Sequence, residues 1–126
     1  MSAATPYVWG TTGEHAAYVD GPEATQVWLD TPAWFAWLNA PTTTHVAYPL
    51  FDPARGYVVG VMTVRKEQRA RGGVYWTGYR RVEGRLRKVY LGRTATLTHA
   101  RLAATALVLR THGPVAAPPL QGEGGR

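Results

Sequence analysis

The chain has 126 residues, of which 45% are hydrophobic and 17% charged, with no cysteine and a formal charge of +6. That length allows one compact domain and is short for two, and the composition suits a folded chain rather than a disordered one. The missing cysteines exclude a disulfide framework and any cysteine-ligated zinc site.

Tyr7-Val8-Trp9, the turn Gly10-Thr11-Thr12-Gly13 and Ala16–Val19 read as a β-hairpin, ended by Asp20-Gly21-Pro22. Gln26–Leu29 is a third short strand. Thr31, whose hydroxyl can accept from exposed backbone N–H groups, and Pro32 at the first helical position open a helix over Pro32–Asn39. Trp34, Leu38 and Phe35 take its buried side, and Ala40-Pro41 stops it. From residue 43 the period changes to two. Thr44–Leu50 is a strand, Asp52–Gly56 a turn, Tyr57–Gln68 a long β run, and Arg69–Gly73 a basic loop. Val74–Val82 and Arg85–Leu91 flank Glu83-Gly84, a two-residue hairpin turn in which glycine supplies positive φ. Gly92 closes that strand. A last helix, capped by Thr94, Thr96 or Thr98, runs to about Arg110, with Leu97, Leu102, Ala106 and Leu109 forming an apolar face flanked by Ala103 and Leu107. His112-Gly113-Pro114 ends it, and Val115–Arg126 is expected to be a disordered tail.

The expected fold class is therefore α+β. An N-terminal β-hairpin and short helix precede a three- to four-stranded antiparallel sheet backed by a C-terminal helix. We expect one domain over 1–110, made of an aromatic, acidic layer (6–42) and a basic sheet–helix module (43–110), with 111–126 a disordered tail.

Charge is distributed unevenly. Residues 1–50 contain no Lys or Arg, and carry Glu14, Asp20, Glu23 and Asp30. Residues 55–93 hold eleven basic side chains against only Glu67 and Glu83, a net of +9. Packing like charges together destabilises a fold unless an anionic partner relieves the repulsion.

The Glu83-Gly84 turn sets a hairpin register. It pairs Val82 with Arg85, Arg81 with Leu86, Arg80 with Arg87, Tyr79 with Lys88, Gly78 with Val89, Thr77 with Tyr90 and Trp76 with Leu91. Opposed residues share a face. One face then carries Trp76, Gly78, Val82, Val89 and Leu91, with Arg80 and Arg87 toward the turn. The other carries Tyr75, Thr77, Tyr79, Arg81, Leu86, Lys88 and Tyr90. The first is favoured for packing under Leu102 and Ala106, with Gly78 as a notch for the helix; the converse assignment stays open.

Two resemblances follow from these residues. Gly72–Arg93, followed by Leu97-Thr98 and Arg101-Leu102, resembles the N-terminal region of large ATP-dependent LuxR-type (MalT-like) transcriptional regulators of filamentous soil Chloroflexi. Trp34–Leu38, Thr63–Glu67 and Tyr7–Trp9 are similar to the same region, so the likeness spans about 6–110. It departs over Pro49–Gly60, which is longer here, and at the C-terminus, where the ATPase and helix-turn-helix parts have no counterpart. The order strand–strand–strand–helix also resembles AP2-type and integrase arm-binding domains, which lay a three-stranded sheet in the DNA major groove. That likeness implies Trp76, Gly78, Val89 and Leu91 on the helix side, and Tyr79, Arg81, Lys88 and Tyr90 on the groove side.

The function expected is nucleic-acid binding, with double-stranded DNA first, in transcription regulation or mobile-element and recombination machinery. The candidate interface is Arg65, Lys66, Arg69, Arg71, Tyr79, Arg81, Arg85, Arg87, Lys88, Tyr90 and Arg93. Arg65, Arg81 and Lys88 are candidates for base edges; Arg69, Arg71 and Arg93 are placed for phosphates. Neutralising about six phosphates would weaken binding about a thousandfold between 50 and 200 mM salt. RNA or single-strand binding, with Tyr75, Tyr79 and Tyr90 as stacking platform, is the second reading. A protein-interaction adaptor or accessory subunit is the third, with a homodimer or protein partner on the Trp-rich N-terminal half.

No enzyme is expected. His15, His45, His99 and His112 lack ligand spacing, no Ser-His-Asp set or paired carboxylates appear, and no glycine-rich segment has the Lys-Ser/Thr of a phosphate loop. No cofactor or metal is expected. The N-terminus lacks the basic start and apolar run of a signal peptide, and no apolar stretch approaches a membrane span, so the expected location is the cytoplasm, with the bacterial nucleoid.

Overall fold

A computed structural model describes residues 5–11, 17–69 and 71–110. The turn residues Thr12 and Gly13, the start of the second expected N-terminal strand at Ala16, and the expected tail after Arg110 lie outside the described residues. So do His15 and His112.

The fold is α+β. Two short strands, β1 (Tyr18–Asp20) and β2 (Gln26–Trp28), form a small antiparallel pair joined through a single 3-10 turn at Pro22–Ala24. Helix α1 (Pro32–Asn39) starts where the Thr31 hydroxyl accepts from the Trp34 N–H at 3.2 Å and Pro32 needs no donor of its own. Then come β3 (His45–Asp52), β4 (Tyr57–Arg69), β5 (Gly73–Val82) and β6 (Arg85–Gly92), an antiparallel meander in that order, and helix α2 (His99–Arg110).

Of the expected N-terminal hairpin, the described residues show one antiparallel bridge. Trp9 pairs with Tyr18 through two hydrogen bonds, while Tyr7 pairs in parallel with Ala47, giving Val8 N–H to Ala47 O at 2.9 Å and Ala47 N–H to Pro6 O at 2.7 Å. The chain's start thus covers the outer edge of β3, a contact between residues far apart in sequence that local alternation does not reveal. Val8, Val19 and Val27 fall on the inner side of this extension and are buried.

Helix α2 lies across one face of the four-stranded sheet. Leu97, Leu102, Ala106 and Leu109 meet Val46, Tyr48, Leu50, Met62, Val64, Trp76 and Leu91 in one core, which Trp34 and Leu38 of α1 join. Both fully buried indoles are satisfied, Trp34 Nε1–H donating to Leu97 O and Trp76 Nε1–H to the Thr94 hydroxyl, each at 2.8 Å. Of the three candidate caps for α2, Thr98 serves: its hydroxyl accepts from Arg101 N–H at 3.2 Å. Asp30, from the far side of the layer, accepts from His99 N–H at 2.8 Å.

The β5–β6 register follows the expected one from Val82↔Arg85 to Thr77↔Tyr90. There a bulge intervenes, and Trp76 faces Gly92 instead of Leu91. Gly92 takes φ of 102°, and the Leu91 carbonyl accepts from Arg101 Nε–H at 3.3 Å and from the Thr96 hydroxyl at 3.4 Å. The Gly78 notch is filled from within the sheet, since a Cβ there would stand 2.9 Å from Met62 Sδ. No helix among the described residues is long and apolar enough to cross a membrane.

Candidate nucleic-acid interface

The face of the sheet turned away from α2 is set by strand alternation. Register pairs Arg65 with Thr77 and His45, Thr63 with Tyr79, Tyr79 with Lys88, Arg81 with Leu86, and Thr77 with Tyr90. Trp76 and Leu91 are fully buried while Tyr90 is 52% exposed, so the tyrosines and cations of β5 and β6 occupy the outer face. On β3 the outward positions Ala47 and Pro49 are buried, which leaves β4, β5 and β6 as the open part.

Arg65, Arg69, Arg81 and Lys88 are exposed on this face beside Tyr75, Tyr79 and Tyr90. Glu67 lies among them. It accepts from the Tyr75 hydroxyl at 3.1 Å and from the Tyr79 hydroxyl. The Tyr79 hydrogen bond foremost, then that of Tyr75 and the charges of Lys88 and Arg65, lower the Glu67 pKa against its partial desolvation. The Arg69 guanidinium sits 4.4 Å from the Tyr75 ring centre, and the Tyr75 and Tyr90 rings are 5.7 Å apart and tilted. Val61, Thr63, Arg65, Glu67, Tyr79, Arg81 and Leu86 line an open depression of about 740 Å³.

The remaining sequence-derived residues lie elsewhere. Lys66 has the opposite parity from Arg65 and turns to the helix side, where its Nζ donates to Ala40 O at 3.0 Å and stands 5.5 Å from the Trp76 ring centre. Burial lowers its pKa. Arg71 is exposed in the β4–β5 loop, and Arg93 is exposed just after β6, within 3.3 Å of where a Gly73 Cβ would sit. Arg85 and Arg87 share the helix side with Val82 and Arg80. Arg80, outside the candidate set, closes the C-terminus of α2, its Nη1 donating to Leu109 O at 2.8 Å and to Arg110 O at 3.0 Å. Arg55 and Arg110 both pair with Asp52, at 3.3 and 3.4 Å.

The four N-terminal tryptophans divide. Trp34 is buried, Trp37 half-buried against it, and Trp9 and Trp28 are 47% and 39% exposed. Trp9, Tyr18 and Trp28 stand in one cross-strand row, with Tyr7 4.6 Å from Trp9 between ring centres. This row was legible only as an excess of tryptophan. No group of three metal-ligating side chains occurs among the described residues.

No protein-family model, curated protein or solved structure matches the chain.

Proposed function

We propose that the protein binds double-stranded DNA through the outer face of β4–β6, in the major groove, as a non-enzymatic module of transcription regulation or recombination machinery. One observation carries this reading: Arg65, Arg69, Arg81 and Lys88 share an exposed sheet face on which Glu67 is the only carboxylate among the described residues. Three strands at about 4.8 Å spacing span roughly 10 Å, within the ~12 Å width of the groove. Long side chains at every second position then reach phosphates and base edges.

Single-strand binding is less well supported. Stacking on bases needs a free ring face, yet the Tyr75 ring is covered by Arg69 and both Tyr75 and Tyr79 are tethered by their hydroxyls to Glu67. Of the three tyrosines only Tyr90 is exposed; the other two are half-buried. Protein contact through the N-terminal half is the second reading, favoured by the exposed Trp9–Tyr18–Trp28 row. Sedimentation of the wild type beside Trp9→Ala/Trp28→Ala tests it for a second copy of the chain.

The direct test is fluorescence anisotropy with a random duplex, against RNA and single-stranded competitors. Four phosphate contacts give a slope of log affinity on log salt of about −3.6, or roughly 150-fold between 50 and 200 mM. Arg81→Glu/Lys88→Glu should abolish binding, and Arg93→Gln should leave it nearly unchanged. A salt-independent signal, or full binding by the charge-reversed protein, would overturn the reading.

A further inference from the structure

The β4–β5 ladder stops at Thr63↔Tyr79, although β5 continues to Val82 and pairs with β6 as far as the turn. On the other side β4 continues with β3 alone, to Asp52↔Tyr57. The sheet therefore forks into two hairpins, with Val61 and Thr63 on one arm and Arg81 and Leu86 on the other lining the outer depression. Beyond the fork, Arg80–Arg87 is a two-stranded ribbon. Three residues past Tyr79 extend it by roughly 10 Å at 3.3–3.4 Å each. Glu83 and Gly84, with φ of 52° and 79°, close it in the tight turn that follows the strands' own twist.

This ribbon is cationic on both faces. Arg81 points outward, with Lys88 at its base; Arg85 and Arg87 point to the opposite side. The Leu109 and Arg110 carbonyls at the end of α2 are taken by Arg80 at the ribbon's root. Arg80 and Arg87 stand directly opposite each other, an unfavourable placement for like charges. The helix carbonyls offset the charge of Arg80. Arg87 has no such partner among the described residues, and its Nη1 is buried without a hydrogen bond. Leu86, an apolar side chain 52% exposed, stands at the tip.

We infer that the β5–β6 ribbon is the part that enters the major groove, with Arg81 and Lys88 reaching the phosphates of one DNA strand and Arg85, joined by Arg87 once its half-buried side chain swings outward, those of the other. The inference rests on the DNA-binding reading and adds to it a second, helix-side set of contacts. A groove about 8.5 Å deep admits a two-stranded β-ribbon of this reach, and Leu86 would then meet thymine methyl groups. Six phosphate contacts in place of four steepen the salt slope from about −3.6 to about −5.4.

The experiment is a salt titration of duplex affinity for the wild type, Arg85→Gln, Arg87→Gln, and the pair Arg81→Gln/Lys88→Gln, each checked for folding by its melting curve. Arg85 is exposed at the turn, so its variant reports on contact even if Arg87→Gln is destabilised. Each helix-side substitution should lower the slope by about 0.9 and weaken binding several-fold. A duplex whose major groove is filled by glucosylated hydroxymethylcytosine should lose binding at least tenfold. If Arg85→Gln and Arg87→Gln bind as the wild type does while Arg81→Gln/Lys88→Gln is weakened, ribbon entry is overturned and the outer-face reading stands. If no substitution on either face changes affinity, both are overturned.

Discussion

Glu67 sets the polarity of the outer face. Two tyrosine hydroxyls and two neighbouring cations favour its charged form, so its folded-state pKa lies below the unfolded value of about 4.3. The resulting stabilisation is complete above that unfolded value and disappears as pH falls through the lower, folded one. Melting curves from pH 7 to pH 3 should show the wild type losing more stability than Glu67→Gln below about pH 4.3; parallel losses would mean that the tyrosine contacts do not act on the carboxylate. At neutral pH the same substitution removes the one carboxylate of the outer face among the described residues, the face proposed to meet DNA. A charge–charge term near 1 kcal/mol in water predicts roughly fivefold tighter duplex binding. Arg80 is the contrasting residue, a buried guanidinium committed to the helix end. Arg80→Met should cost about 2 kcal/mol, since it leaves two carbonyls without a charged donor, and lower Tm by roughly 8 °C. Duplex affinity measured well below that Tm should not change.

Helix α2 is held in place at both ends by side chains distant in sequence, Asp30 at its start and Arg80 at its close. Asp30 also has φ of 66°, a left-handed conformation that Asn tolerates and Ala does not. Asp30→Asn should therefore be nearly neutral, whereas Asp30→Ala should cost more than the ~1 kcal/mol of an ordinary cap; equal denaturant midpoints for the two variants would show that neither cap nor backbone strain matters there. Neither end contact is readable from the chain, because nothing local links Asp30 to His99 or Arg80 to Leu109. What was legible is what alternation and turn chemistry dictate: α1 with its Thr31 cap, four long strands, and a hairpin register correct from Val82 back to Thr77. The register failed at Leu91, where a bulge falls and the carbonyl accepts from Arg101 and Thr96, side chains outside the hairpin. The parallel pairing of Tyr7 with Ala47 was hidden for the same reason. In the candidate interface, charge alone put Lys66 beside Arg65, although a period of two already sends adjacent residues to opposite faces.

At the scale of the whole molecule the charge imbalance becomes a measurable stress. Among the described residues the ion pairs both fall on Asp52, at the end of β3 away from the outer face. The cations of the outer face and the ribbon repel one another, with Glu67 on that face and Glu83 in the ribbon's turn to set against them. Screening should relieve that repulsion, because exposed charges about a Debye length apart interact strongly at ~20 mM salt and weakly at ~200 mM. The free protein is therefore expected to melt higher as salt rises over that range. A polyanion relieves the same stress by direct neutralisation, so duplex at about a hundred times its Kd should add about 2.7 kcal/mol, or roughly 10 °C in Tm. Salt weakens that binding, so the two effects oppose each other. The Tm gained from duplex should be large at about 20 mM and shrink toward nothing at about 200 mM, while the free protein climbs. Differential scanning fluorimetry across that salt range, with and without a duplex of about 16 base pairs, reads both trends at once. A free protein whose Tm falls with salt would mean that the arginine-rich face is not under electrostatic strain, and a duplex that leaves Tm unmoved at low salt would remove the physical ground for a nucleic-acid partner.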